Sequence, residues 1–172
     1  LARSPLRTPR AWAALLIGVV LVGIGLGMMI DADFGVAPAD AAQYLAPALR
    51  DLLPDPLSLR DMGTAAARFI KAAQDGQRIA VFADYDVDGG SSAALLIVWL
   101  RAMGRDATLY IPDRIDEGYG PNIPAMATLG VAHDLIICVD CGTLSHEPIA
   151  AAGCDVIVLD HHLGGETLPP AL

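Results

Sequence analysis

The sequence predicts an α/β domain with a largely parallel sheet and flanking helices, preceded by an apolar helix. Two observations carry the sheet: four short, buried-type apolar runs alternate with helix-like segments, and three of them are followed at once by a cluster of acids. A third carries the leading helix. Ala11 to Ile30 is a run of twenty residues without a charge, the length that spans a bilayer.

Taken in chain order, Arg3, Arg7 and Arg10 precede that run with no acid among them. Under the positive-inside tendency they keep the amino terminus cytoplasmic, as in a signal anchor. A cleaved secretory signal needs a shorter apolar region and a small-x-small cleavage site, which Met28-Met29-Ile30-Asp31 does not supply. Residues 1–35 thus read as a basic leader and a membrane-spanning helix, or as the product of a wrongly assigned start.

Residues 36–75 read as a helical connecting arm. Val36 to Leu45 has the pattern of a short amphipathic helix, Leu53-Pro-Asp-Pro-Leu57 is punctuated by proline, and Asp61 can cap a helix from Met62 to Gln74 that stops near Asp75-Gly76. From residue 76 to 172 the periodicity changes. Arg78–Ala83, Ala107–Ile111, Asp134–Val139 and Asp155–Leu159 read as strands. Ser91 to Met103 is helix-like and closed by Gly104, a second helix lies around Ser145 to Ala152, and the stretch between Ile111 and Asp134 reads as a loop rich in Gly and Pro.

Charge narrows the function. Beyond Ile30 eight basic residues face twenty acidic ones, a balance of −12, which taken alone argues against a nucleic-acid-binding surface. It suits a site that needs divalent cations, because clustered carboxylates are tolerable when a metal neutralises them. Cys138, Cys141 and Cys154 make an odd set for a disulfide framework. A reducing compartment is the simpler inference.

The chemistry lies in the three acidic clusters: Asp84-Tyr-Asp-Val-Asp-Gly89 after the first strand, Asp140-Cys-Gly142 after the third and Asp160-His-His162 after the fourth. A parallel sheet brings such strand ends to one edge, where ligands bind. Carboxylates joined by imidazoles suit Mn²⁺ or Mg²⁺ better than a thiolate-rich zinc site. Any one Asp at a strand end is an ordinary cap or turn residue.

Asp84 to Gly89 also matches the start of an EF-hand loop, but the twelfth position falls on Leu95, where a bidentate Glu is required. A haloacid-dehalogenase-like Asp-x-Asp turn would leave the paired histidines unexplained. Cys138 and Cys154 read as core, since no second pair completes a Cys₄ site. His133 and His146 read as surface residues.

These strings resemble a family. Asp84–Gly89, Tyr110-Ile-Pro-Asp-Arg-Ile-Asp-Glu-Gly-Tyr-Gly120, Val139-Asp-Cys-Gly142 and Val158-Leu-Asp-His-His162 stand in the order and spacing of RecJ-type DHH phosphoesterases, from about Ala37 to Leu172. The resemblance implies a DHH domain, incomplete here, with Mn²⁺ or Mg²⁺ in a two-metal site. It implies that Asp86 and Asp88 hold metal, with Asp84 a further ligand or its supporting partner. Asp140 would bridge the metals and His161 would be a ligand. His162 would contact the scissile phosphate, Asp160 would orient the imidazoles, and Arg114 and the Glu117–Gly120 loop would lie near the substrate, with Arg114 a candidate for phosphate binding.

The activity implied is hydrolysis of single-stranded DNA from its 5′ end towards its 3′ end, in recombination and repair in the cytoplasm. The resemblance also implies a fourth Asp-bearing motif, a DHHA1 lobe and an OB-fold beyond Leu172, so this chain is expected to have weak or no nuclease activity alone. Ala83 departs from the family's usual Gly, which is tolerable if the strand end keeps negative φ. RecJ-like proteins are soluble, whereas Ala11–Ile30 looks membrane-spanning; a fragmentary or frameshifted gene explains the altered start and early end together. Two other functions stay open: a membrane-anchored DHH phosphodiesterase of small nucleotides, and a non-catalytic RecJ-like binding module.

Overall fold

The computed structural model of the protein describes Ala46, Ala48 and residues 53–172. The expected spanning helix (11–30) and amphipathic helix (36–45) lie outside the described residues. Among the described residues no helix is long and apolar enough to cross a membrane.

After a 3₁₀ turn at Pro56–Ser58 the elements run α1 (Met62–Asp75), β1 (Ile79–Ala83), α2 (Val87–Ala102), β2 (Thr108–Tyr110), α3 (Ile123–Ala132), β3 (Leu135–Val139), α4 (His146–Ala150) and β4 (Asp155–Leu159). The four strands form one sheet in the order β2-β1-β3-β4, and every neighbouring pair is parallel. Every residue of β1 and β3 is buried, as apolar runs without alternation require of strands covered on both faces.

Side-chain alternation sorts the core into two layers. Ile79, Val81 and Ala83 of β1 face one way and pack with Ala65, Ala72 and Ala73 of α1 and Ala93, Ile97 and Leu100 of α2. Ala80 and Phe82 face the other way, against Ala125, Met126 and Leu129 of α3 and Ile149 of α4. Cys138 is fully buried in this second layer, as expected, whereas Cys154 is only half-buried at its margin.

One compact unit runs from Pro56 to Leu172 and takes in the last part of the stretch read as an arm. The physical reason is α1: the helix read as part of an arm supplies three alanines to the core, and its Phe69 ring lies 5.0 Å from that of Trp99 on α2. Arg68 pins its inner face. The guanidinium donates to Asp155 at 2.7 Å, to Gln77 at 2.8 Å and to the Asp134 carbonyl at 3.4 Å. Because the side chain is 17% exposed, Arg68→Ala is expected to cost about 2 kcal/mol in urea unfolding, and a loss below the error of that measurement would contradict the pinning.

Three local expectations are corrected. Asp61 does not cap α1 through its side chain: it stands at φ 54° with no such bond, and its carboxylate takes Arg60 at 3.2 Å instead. The α2 helix starts at Val87 rather than near Ser91, because Asp86 accepts from the Asp88 and Gly89 amides at 2.9 and 3.1 Å and nucleates the first turn. The stretch read as a Gly/Pro loop contains α3. Its Pro124 sits in the first turn, where a missing N–H is harmless, and Asn122 caps it by accepting from the Ala125 amide at 2.9 Å.

Candidate metal centre

The sheet register builds the site. Ala83 pairs with Val139, and Val139 with Leu159, so the next residue of each strand, Asp84, Asp140 and Asp160, leaves the sheet at the same level on adjacent strands. Ala83 is not among the positive-φ residues, so its departure from Gly is sterically neutral.

Asp84 is 3% exposed, and its carboxylate accepts from the Tyr85 amide at 2.8 Å. The α2 start closes over it: a Cβ on Gly89 would lie 2.4 Å from the Asp84 carbonyl oxygen. Glycine is needed there for close approach, while Gly90 has open space. The Gly89 amide, joined by that of Asp88, holds the Asp86 carboxyl below its ordinary range.

Asp140 is 6% exposed and stands at φ 61°, in the left-handed region. Its amide donates to the Leu159 carbonyl at 2.8 Å. Burial, then the neighbouring charge of Asp86, pushes its carboxyl up. His161 Nε2 stands 3.2 Å from Asp140 Oδ1.

Asp160 is held differently. One oxygen accepts from the Thr143 amide at 3.0 Å and hydroxyl at 2.6 Å; the other meets His162 Nδ1 at 2.7 Å and its amide at 3.2 Å. Burial works against ionisation, but the Thr143 and His162 hydrogen bonds outweigh it and bring the carboxyl down to about 2. In return Asp160 pushes the His162 imidazole up. A carboxylate that fixes an imidazole by one nitrogen leaves the other free for a ligand.

Two groups of donor atoms result, Asp84–Asp86–Asp140 and Asp140–His161–His162, with the ligand atoms of each within 4.8 Å of one another. Asp140 belongs to both. Asp88 is in neither, although it lines the same open cavity of about 1030 Å³ as Asp140, Asp160, His161 and His162. Arg114 is exposed, its guanidinium 5.0 Å above the Tyr85 ring. His146 and His133 are in neither group; His133 instead bonds Thr108 Oγ1 at 2.8 Å and the Leu129 carbonyl at 2.9 Å.

The donor set fits hard divalent cations. Burial drives the Cys138 thiol up to about 12 and that of Cys141 higher still, so both stay protonated behind the site. That leaves carboxylate oxygens and imidazoles. Two close carboxylates, one of them buried and repelled by the other, are stable as anions when a cation lies between them.

Sequence reasoning missed Thr143, whereas Tyr119 belongs to the Glu117–Gly120 loop expected near the substrate. Thr143 follows Gly142, a turn at φ 115°, and a hydroxyl just beyond such a turn was the available signal. Tyr119 donates its hydroxyl to the Asp140 carbonyl at 3.3 Å and meets the His162 ring edge-on at 6.1 Å.

Residues 78–172 match the DHH family, N-terminal domain. The chain is 40% identical over 119 residues to the single-stranded-DNA-specific exonuclease RecJ of Thermus thermophilus, covering 67% of this chain and 18% of that protein. With RecJ of Dickeya dadantii it shares 41% over 135 residues, 75% of this chain and 23% of that one. Among solved structures, exonuclease RecJ bound to manganese superposes with a TM-score of 0.62 at 40% identity, over 70% of this chain and 31% of that one. RecJ of Thermus thermophilus in complex with Mn²⁺ gives 0.60 at 35% identity, over 74% of this chain and 18% of that one. The chain therefore spans less than a quarter of these two curated relatives.

Proposed function

The chain belongs to the DHH family, and from that premise we propose that it supplies the metal-binding half of a phosphodiesterase active site that degrades single-stranded DNA as an exonuclease. The observation that carries this reading is Asp140, buried and shared by two adjacent donor groups. One carboxylate common to both is what a two-cation site needs.

Asp84, Asp86, Asp140 and His161 are the proposed ligands, with Asp88 joining them from the cavity wall. Bound Mn²⁺ or Mg²⁺ would supply Lewis acidity toward the phosphoryl oxygens and an acidified water for in-line attack. The remaining work belongs to the protein. His162, raised in pKa by Asp160, donates from its free nitrogen to a non-bridging oxygen of the scissile phosphate. Asp160 keeps that ring oriented through the Thr143-anchored carboxylate. Arg114 offers a guanidinium at the rim for a further phosphate.

The specificity of the RecJ relatives for single-stranded DNA supports it as substrate over a small nucleotide, and intact acidic clusters support catalysis over a binding module, since buried carboxylates without a cation are costly. The free thiols Cys138, Cys141 and Cys154 support a cytoplasmic setting. The DHHA1 lobe and OB-fold are the proposed partners that complete the site and grip the DNA.

The test is release of nucleotides from end-labelled single-stranded DNA, with Mn²⁺ or with a chelator. It is run on this chain and on the same chain joined to those two domains. Degradation by the joined protein, Mn²⁺-dependent and weak or absent in the chain alone, is expected. A joined protein that binds Mn²⁺ yet leaves DNA intact would sink the exonuclease reading.

A further inference from the structure

We propose that Glu117 is a positioning residue for the metal centre: its carboxylate locks the segment between β2 and α3 so that Tyr119 and Arg114 stand at the rim of the site. The inference rests on the reading of the centre as a divalent-cation site.

The Glu117 carboxylate belongs to neither ligand group and is held by partners from both ends of its own loop. Oε1 accepts from the Tyr110 hydroxyl, at the end of β2, and from Asn122 Nδ2 at 3.2 Å, at the cap of α3. Oε2 accepts from the Asp113 amide at 2.8 Å. One side chain thus ties together the last residue of a strand, the first turn of the loop and the cap of the next helix.

The backbone repeats the tie. The Glu117 and Gly118 amides donate to the Asp113 carbonyl at 2.8 and 3.2 Å, while Asp113 Oδ1 accepts from the Ile115 and Asp116 amides at 2.8 and 3.1 Å. Gly118 and Gly120, at φ 84° and 69°, then reverse the chain on either side of Tyr119, conformations that an L side chain adopts only under strain. This places the Tyr119 hydroxyl on the Asp140 carbonyl and its ring against His162. Arg114, in the same locked turn, reaches over Tyr85.

Glu117 is not a proton-transfer group. The Tyr110 hydroxyl, followed by the Asp113 amide, holds its carboxyl below the ordinary range, and the Tyr110 hydroxyl is itself pushed up to about 12. Neither exchanges a proton at neutral pH, and both oxygens of Glu117 already accept hydrogen bonds. Its contribution is geometric: without it the loop loses the one group that joins its two ends.

The experiment uses the full chain with isotope-labelled tyrosine rings, assigned by single Tyr→Phe variants and titrated with Mn²⁺ in the NMR tube. Paramagnetic broadening falls steeply with distance, so the Tyr119 ring of the wild type is expected among the most broadened signals. In Glu117→Gln, Mn²⁺ affinity by calorimetry is expected to hold while the broadening of Tyr119 falls several-fold. Tyr110→Phe removes the same bond from the other side and keeps the ring stacked on Phe82, and a smaller loss is expected. Undiminished Tyr119 broadening in both variants would overturn the role of Glu117. If the wild type takes up no Mn²⁺, the cation reading fails. The Tyr119 ring shift then decides the role of Glu117 without metal: altered by Glu117→Gln it stands, unaltered it falls.

Discussion

Asp140→Asn is expected to abolish divalent-cation binding while leaving the fold intact. Asp140 is the only residue common to the two donor groups, so its loss removes a ligand from both. Asn keeps the size of the side chain and tolerates the left-handed φ of 61°, but a neutral amide cannot offset the cation's charge. An affinity loss of at least about a hundredfold follows, larger than the usual effect of changing a residue that merely supports a ligand. Calorimetry with Mn²⁺ reads it directly.

The sign of the stability change separates this account from a structural one. Without metal, the Asp140 carboxylate is disfavoured by burial and by Asp86, so Asp140→Asn removes a repulsion and does not lower the melting temperature. With Mn²⁺ the wild type gains stability by mass action and the variant does not. Wild-type Mn²⁺ affinity in Asp140→Asn would refute the proposed arrangement.

Gly130→Ala is expected to be the most damaging substitution outside the metal centre. Gly130 lies inside α3, where helix propensity alone favours Ala over Gly by about 1 kcal/mol. The tertiary contact reverses the sign: a Cβ there would sit 1.6 Å from the Ala152 carbonyl oxygen, and that neighbour is backbone. The region after α4 must move away from α3, at a cost of about 3 kcal/mol or more. Gly90→Ala is the internal control. It is also helical but has open space around it, so a gain of roughly 0.5 to 1 kcal/mol is expected. Chemical denaturation of the three proteins gives both numbers, and a Gly130→Ala chain as stable as wild type would refute the close crossing.

The strands and the three acid-bearing turns were legible in the sequence because their signals are local: an unbroken apolar run, then an abrupt change to Asp. Parallel pairing of β1, β3 and β4 then makes the meeting of Asp84, Asp140 and Asp160 a matter of topology. The helix α3 was hidden because Pro124 reads as a breaker unless its place in the first turn is known. The start of α2 was displaced because Asp86 reads as a ligand, and its simultaneous work as a cap is visible only in three dimensions. Arg68 and Thr143 escaped notice for a related reason. Each acts on a partner remote in sequence, Arg68 on Asp155 and Thr143 on Asp160, and no periodicity records such a pairing.

The level strand ends carry a consequence for scale. Neighbouring strands in any sheet stand about 4.8 Å apart, and paired catalytic cations stand roughly 4 Å apart. Donors issuing from three consecutive strands are therefore already graduated at nearly the interval that two ions require, so the sheet serves as a ruler. Interposing a single strand between β1 and β3 would double that interval and leave two isolated half-sites, however well each Asp kept its own turn.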